Sequence, residues 1–199
     1  NARMINLIGN QIEPYRKNIT LNENEFFFDY LKKEIKEKRK MGHITTLIYM
    51  LKSIAGNFDH PEVNDLLVKH FIELKDASPE GSAHVLDIPG LKISSIKFWS
   101  LWEDEKLFGC GALKFLNQEH GEFKSIRIHD NYRNQGNGIK VIDHLISEAK
   151  KLNIKRLSIE TGAGKFFDPA RKLFKKCNFL PCEPFAHYKK DMNSIYLTK

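Results

Sequence analysis

Cysteine is scarce in this chain: its 199 residues contain three, Cys110, Cys177 and Cys182. An odd and sparse count excludes a disulfide framework and suits a reducing, cytoplasmic setting. Cys177 and Cys182 alone supply too few ligands for a zinc site, so no metal is expected. Long apolar runs are also missing. Nothing approaches the ~20 residues of a membrane span. Glu13, Arg16 and Lys17 break the N-terminal stretch where a signal peptide would need an apolar segment. No internal repeat or low-complexity tract is visible. With 41% apolar and 29% charged residues, the composition excludes a disordered chain. The length suits one domain with an appendage. A net charge of +7 permits a nucleic acid, an anionic lipid or a phosphorylated cofactor as partner, but charge alone reads as a solvated basic surface.

What is present is a sequence of helix and strand signals. Residues 21–41 carry Asn22 and Asn24 as caps, acids in the early turns, Lys36 to Lys40 at the end and a stripe of Phe27, Leu31 and Ile35. That pattern predicts a helix, stopped by Gly42. The β-branched stretch 45–54 predicts a strand. A second helix begins near Asp59 or Pro61 and buries Val63, Leu66, Leu67, His70, Phe71 and Leu74. Residues 76–84 read as a loop. Strands follow at 93–103, 106–116 and 121–129, the first two joined by a turn at Glu103-Asp104-Glu105. A helix over 138–152, a strand over 155–161, a short helix over 168–177 and a terminal strand over 194–199 complete the order. The helix between the 121–129 and 155–161 strands implies parallel pairing with a right-handed crossover. The rest is connected by hairpins. The fold class is α/β: a mixed, mostly antiparallel twisted sheet flanked by helices. Residues 44–199 form this domain, and residues 1–43 form an N-terminal helical extension.

The stretch 129–145, "HDNYRNQGNGIKVIDHL", poses the functional question. Gly136 and Gly138 stand where a strand gives way to a helix. Glycines there let the backbone turn and let a ligand come close. The first amides of a helix lack partners and carry partial positive charge, so an anion such as phosphate is the natural occupant. Arg133 adds a fork suited to phosphate oxygens. The third glycine of the dinucleotide-binding fingerprint is absent, and so is the Gly-Lys-Ser/Thr of a P-loop. The two glycines alone equally fit a helix start with nothing bound.

Their company decides the reading. Arg133-Asn134-Gln135-Gly136-Asn137-Gly138 resembles the R/Q-x-x-G-x-G/A loop of the GNAT superfamily of acyl-CoA N-acetyltransferases. "GCGALK", "YRNQGNG", "LSIETG", "ARKLF" and "NF" resemble a subgroup of small bacterial members, the YsnE-like acetyltransferases, and "DASPEGSAHVLD" fits their loop before the second strand. The resemblance covers roughly residues 45–199 and not the N-terminal arm.

That resemblance implies an acetyl-CoA-dependent transfer to a primary amine of a small molecule or peptide, by direct attack in a ternary complex. It implies that backbone amides of Arg133, Asn134, Gln135, Gly136, Asn137 and Gly138 hold the pyrophosphate. It implies that Ile126, Arg127 and Ile128 pair with the pantetheine arm through their main chain, where an amide also polarises the thioester carbonyl. Thr161, Phe167, Ala170 and Phe174 complete the implied cofactor site. Glu122 is the implied base, because histone-type members carry a catalytic glutamate at the same offset, eleven residues before Arg133. Glu160 and His129 are weaker candidates, and many members use water chains. The tyrosine that many members carry in the short helix is Phe174 here, which has no hydroxyl to protonate the leaving thiolate; Tyr188, Tyr132 or water is left for that task, and Cys177 reads as a buried structural residue. Asn178 stands where the family has glycine, a mild change because asparagine tolerates the left-handed conformation. A non-catalytic CoA-binding sensor or interaction module is the alternative reading. A homodimer is a possible assembly. The arm, with nine Lys/Arg against six Asp/Glu over residues 1–43, carries too little charge for a strong nucleic-acid claim.

Overall fold

Seven strands hydrogen-bond into one sheet in the order β1-β2-β3-β4-β5-β7-β6 in the computed structural model, which describes residues 51–199. The strands are β1 Leu51–Ala55, β2 Ile96–Glu103, β3 Lys106–Phe115, β4 His120–Ile128, β5 Arg156–Gly162, β6 Leu180–Pro181 and β7 Ser194–Thr198. The helices are α1 Pro61–Ala77, α2 Ile88–Leu91, α3 Asn137–Lys151 and α4 Asp168–Lys176. The expected helix over 21–41, the extension over 1–43 and most of the expected 45–54 strand lie outside the described residues.

Every adjacent pair is antiparallel except β4 and β5, which run parallel on either side of α3. The predicted mixed sheet is therefore the observed one. β2 and β3 are buried along most of their length, on both faces, because helices cover both. Their near-continuous apolar runs follow from that double covering. On one face Val141, Ile142, Leu145 and Ala149 of α3 pack with Phe108, Phe123, Leu157 and Ile159. Fully burying each large aliphatic side chain in this cluster contributes about 1.5–3 kcal/mol. On the other face Val63, Leu66 and Leu67 of α1 pack with Phe98, Trp102, Leu107 and Cys110.

The local signals fall where the chain uses them. Pro61 opens α1 at its first turn, and the cap is His60 rather than Asp59. Asp104 and Glu105 both take positive φ, 47° and 64°, in the turn joining β2 to β3. Asn178 takes φ 62° after α4, the left-handed conformation expected of it. Two elements have no counterpart in the sequence reading. α2 is a single turn capped by the Asp87 side chain, which accepts from the Gly90 amide at 2.8 Å. β6 is two residues long. Among the described residues no helix is long and apolar enough to cross a membrane.

Candidate active site

β4 and β5 begin side by side and then part. Their ladder holds at His120↔Arg156, Gly121↔Leu157 and Glu122↔Ser158, although β4 continues to Ile128 and β5 to Gly162. The parting has a local cause. Cys110↔Arg127 and Ala112↔Lys124 enclose one residue on β3 and two on β4, so β4 carries a bulge. Ser125 sits in it with φ 49°. A bulge sharpens the twist and bends its strand away from the neighbour. A cleft of about 780 Å³ opens between the diverging strands, walled by the last turns of α1, the 82–86 loop, the start of α3 and one side of α4.

One side of this cleft is the uncapped backbone at the start of α3. Gly136 caps α3 with φ 82°, a conformation that costs glycine little and a side chain much. No side chain caps this helix. Ile139 and Lys140 are the first to donate inside it, both to the Gly136 carbonyl, leaving the Asn137 and Gly138 amides without helical acceptors. Gly138 has a different reason from Gly136. A Cβ there would lie 2.7 Å from Leu173 Cδ2, so glycine lets α4 pack against the helix start. Its close approach serves the protein's own side chain. Arg133 is about half exposed; its guanidinium pairs with Asp130 at 2.7 Å. Asp130 also receives Arg127 at 3.3 Å and Lys69. The buried Arg127 side chain turns to Glu73 of α1 at 2.6 Å. These cations hold the Glu73 and Asp130 carboxyls below the usual range, each chiefly through the hydrogen bond it accepts, from Arg127 and Lys69 respectively. His70 of α1 lies beside them, nine-tenths buried. Burial first, and then Arg127, push its pKa down to about 4.

The opposite side is built from side chains. Glu122 is completely buried. Its Oε1 accepts from the Tyr188 hydroxyl at 2.6 Å and pairs with Lys124 Nζ at 2.9 Å. Lys124 also donates to the Tyr188 oxygen at 2.5 Å and to the His84 carbonyl at 3.2 Å. Burial, and then the Glu122 charge, push the Tyr188 hydroxyl well above the usual phenol range. Two residues along β5 from Ser158, the half-buried Glu160 borders the cleft and accepts from Ser194 Oγ at 2.7 Å. Burial raises its carboxyl above the usual range, and the Ser194 hydrogen bond works against that rise.

Measured against the expectations, Ile126, Arg127, Ile128, Arg133, Asn134, Gly136, Gly138, Thr161, Phe167, Ala170 and Phe174 all line the one cleft. Gln135 and Asn137 flank it without lining it. Gln135 donates to the Asn131 carbonyl at 3.0 Å, and the buried Asn137 side chain to the Tyr132 carbonyl at 3.0 Å. Phe174 is a core residue, 6.0 Å from Phe179 between ring centroids. Cys177 lies in the same core cluster, as a structural cysteine should. His129 caps a short 3-10 turn, its Nδ1 accepting from the Asn131 amide. Neither Tyr188 nor Tyr132 is among the lining residues. Glu122, the expected base, sits behind the residues that line the cleft. A base must come within hydrogen-bond reach of the proton it takes. Glu122 does not border the cleft, and Tyr188 and Lys124 occupy its Oε1. Lys124, His84 and Glu160 stand at the wall instead. Alternation along β4 places Glu122 and Lys124 on one face; that Tyr188 closes over that face is fixed by the 181–193 segment, which carries no local signal for it.

The chain matches known proteins over the same region. Residues 61–179 match the acetyltransferase (GNAT) family. Residues 2–54 match the phosphoribosylaminoimidazole carboxylase C-terminal domain family, a stretch of which 51–54 alone is described. The chain is 44% identical over 138 residues to the Bacillus subtilis (strain 168) uncharacterized N-acetyltransferase YsnE, covering 69% of this chain and 91% of that one. It is 40% identical over 144 residues to the Escherichia coli (strain K12) uncharacterized N-acetyltransferase YedL, covering 72% and 91%. In fold it is similar to an acyl-CoA N-acyltransferase from Klebsiella pneumoniae, with TM-score 0.60 and 20% identity over 77% of this chain and 98% of that one. It is similar also to a GNAT family acetyltransferase from Elizabethkingia anophelis with acetyl-CoA bound, with TM-score 0.54 and 19% identity over 74% and 96%. With family, relatives and fold in agreement, the chain belongs to the GNAT family of N-acetyltransferases and is an acyltransferase.

Proposed function

We propose that the protein transfers the acetyl group of acetyl-CoA to a primary amine of a small molecule or peptide, by direct attack while both are bound. The observation that carries this reading is the parted β4–β5 ladder, which opens beside the uncapped start of α3. An extended thioester arm fits along the free edge of β4 at Ile126, Arg127 and Ile128, bonding to main chain and leaving the Arg127 side chain to Glu73. The pyrophosphate then meets the amides of the 133–138 loop, with Arg133 exchanging Asp130 for phosphate oxygens. Thr161, Phe167, Ala170 and Phe174 border the arm from β5 and α4. That the Elizabethkingia anophelis neighbour binds acetyl-CoA on the same fold supports the assignment. Three free cysteines fit a cytoplasmic enzyme.

The chemistry requires two proton movements. An amine of pKa ~10.4 must become neutral before it attacks. The C–N bond forms as the C–S bond breaks, and a β4 backbone amide stabilises the oxygen charge in between. The thiolate, of ordinary pKa ~8.5, takes a proton from water, since Phe174 has none to give. Glu122 serves at one remove: its carboxylate fixes Tyr188 and Lys124 behind the wall.

Incubation with acetyl-CoA and a panel of monoamines, diamines, amino acids and short peptides, read by mass spectrometry, tests the reading. An enzyme-dependent gain of one acetyl group on an amine supports it. Loss of acetyl-CoA to hydrolysis alone, with no acetylated amine, would overturn it.

A further inference from the structure

Positive φ falls at loops, turns and helix ends in this molecule, with one exception. Among the described residues, Ser125 alone takes it inside a strand, at 49°, in the bulge where β4 leaves β5. Left-handed backbone costs glycine little and strains a residue with a Cβ. The bulge is held from β3, where the buried Cys110 thiol donates to the Ser125 carbonyl at 3.6 Å. A second cost falls on the same residue. Its hydroxyl oxygen is buried and, alone among the buried hydroxyls of the described residues, has no hydrogen-bond partner in the protein. A buried hydroxyl without a partner destabilises a fold. Glycine would remove both costs at this position.

Strain and an unmet hydrogen bond at one residue are features of functional sites, and a bulge re-aims the side chain it carries. Ser125 lines the cleft. It directly precedes Ile126, Arg127 and Ile128, the free edge along which the thioester arm is placed. The charged side chains beside it are engaged elsewhere: Lys124 with Glu122, Tyr188 and the His84 carbonyl, and the Arg127 guanidinium with Glu73 and Asp130. The Ser125 hydroxyl is neutral, uncommitted and carried on a single rotatable bond, so it can turn to an acceptor that a ligand brings.

We propose that Ser125 is a further catalytic residue: its hydroxyl donates a hydrogen bond to the thioester carbonyl oxygen, beside the β4 amide. This assignment rests on the acetyl-transfer reading above. The step balances with the serine unchanged. The lone pair of the neutral amine forms the C–N bond, and the carbonyl π pair moves onto oxygen. Two donors meet the charge that develops there, an amide N–H and the Ser125 O–H. The pair then returns to re-form the C=O bond as the C–S bond breaks, and the C–S electrons leave on sulfur. The nitrogen loses its extra proton to solvent, and water protonates the thiolate. Ser125 keeps its own proton throughout, because an aliphatic hydroxyl is a weaker acid than a thiol. A donor aimed at developing charge inside a cleft acts more strongly than the same donor in water.

The test compares wild type with Ser125→Ala, which removes the hydroxyl and keeps the strain, and with Ser125→Gly, which removes both and so keeps the bulge without cost. Each protein is titrated with acetyl-CoA isotope-labelled at the acetyl carbonyl, and thermal stabilisation and the carbonyl infrared band are read. Stabilisation should be the same in all three. The bound carbonyl band should lie at lower frequency in wild type than in either variant, because a hydrogen bond to the oxygen weakens the C=O bond. This reading needs no acceptor. For an amine that the panel shows to be acetylated, kcat should fall by about 10²–10³-fold in both variants, with KM for acetyl-CoA little changed. Failure of acetyl-CoA to stabilise wild type would defeat the acetyl-transfer reading, and this contact with it. Normal stabilisation with the same band in all three proteins, or with kcat unchanged in the variants, would overturn the Ser125 assignment alone.

Discussion

The two sides of the β4–β5 cleft are made of different material. The side at the start of α3 is backbone: a left-handed Gly136, an uncapped first turn and the amides of Asn137 and Gly138. The other side is a set of side chains drawn from distant parts of the chain: His84, Lys124 and Glu160 at the wall, with Glu122, Tyr188 and Ser194 hydrogen-bonded behind them. A backbone site needs particular φ angles and leaves its trace in a short window of sequence, as glycine does at 136. A side-chain site needs only that the fold bring its members together. Nucleotide-like ligands with fixed phosphates suit the first construction; an acceptor that differs from enzyme to enzyme suits the second.

The contrast predicts where substitutions hurt. The largest effect belongs to the buried pair on the side-chain side. Glu122→Ala leaves Lys124 and the Tyr188 hydroxyl without their acceptor, and should cost about 3–5 kcal/mol in urea unfolding. The exposed Lys155–Glu119 pair is the control, and Glu119→Ala should change stability by less than about 1 kcal/mol. Equal effects from the two would mean that Glu122 is not held as described.

Next comes His70, behind the backbone side. Its folded pKa of about 4 lies below the ordinary 6.5, so the unfolded chain binds its proton first as pH falls. Its stabilising contribution is complete above pH 6.5 and is lost as pH drops from 6.5 towards 4, by about 3 kcal/mol at most. His70→Leu should flatten stability over that window. An unchanged slope would contradict the burial that sets this shift.

The smallest structural effect is at the helix start. Gly138→Ala places a Cβ 2.7 Å from Leu173 Cδ2 and should cost about 1–3 kcal/mol. Adding Leu173→Ala should recover part of that loss. Failure to recover would separate Gly138 from α4 packing and return it to a purely ligand-facing role.

The same division sets what could be read in advance. The periodic elements were legible: α3 and α4, the β2–β3 hairpin and the parallel β4–α3–β5 unit follow from apolar spacing and turn residues. The single-turn α2 was not, because four residues carry no period. The bulge that parts β4 from β5 was hidden for another reason: Ser125, not glycine, takes the positive φ. The turn into α3 was legible through Gly136, while the reason for Gly138 was half seen, since the close neighbour is Leu173. The burial of Glu122 was beyond reach. Strand alternation gives the face a residue points to, but the 181–193 segment that seals that face is placed by tertiary packing.

The central claim is that the backbone side holds the pyrophosphate of acetyl-CoA. A thermal-shift titration of wild type and Arg133→Glu with acetyl-CoA, free CoA and ATP tests it most directly. The account predicts that acetyl-CoA and CoA both stabilise wild type, by about 2.7 kcal/mol at 100 times the dissociation constant. It predicts that ATP does not, and that the variant needs roughly tenfold more ligand for the same shift, the loss of one charge-assisted contact. No shift of wild type by either CoA species, or the same response from Arg133→Glu, would contradict it.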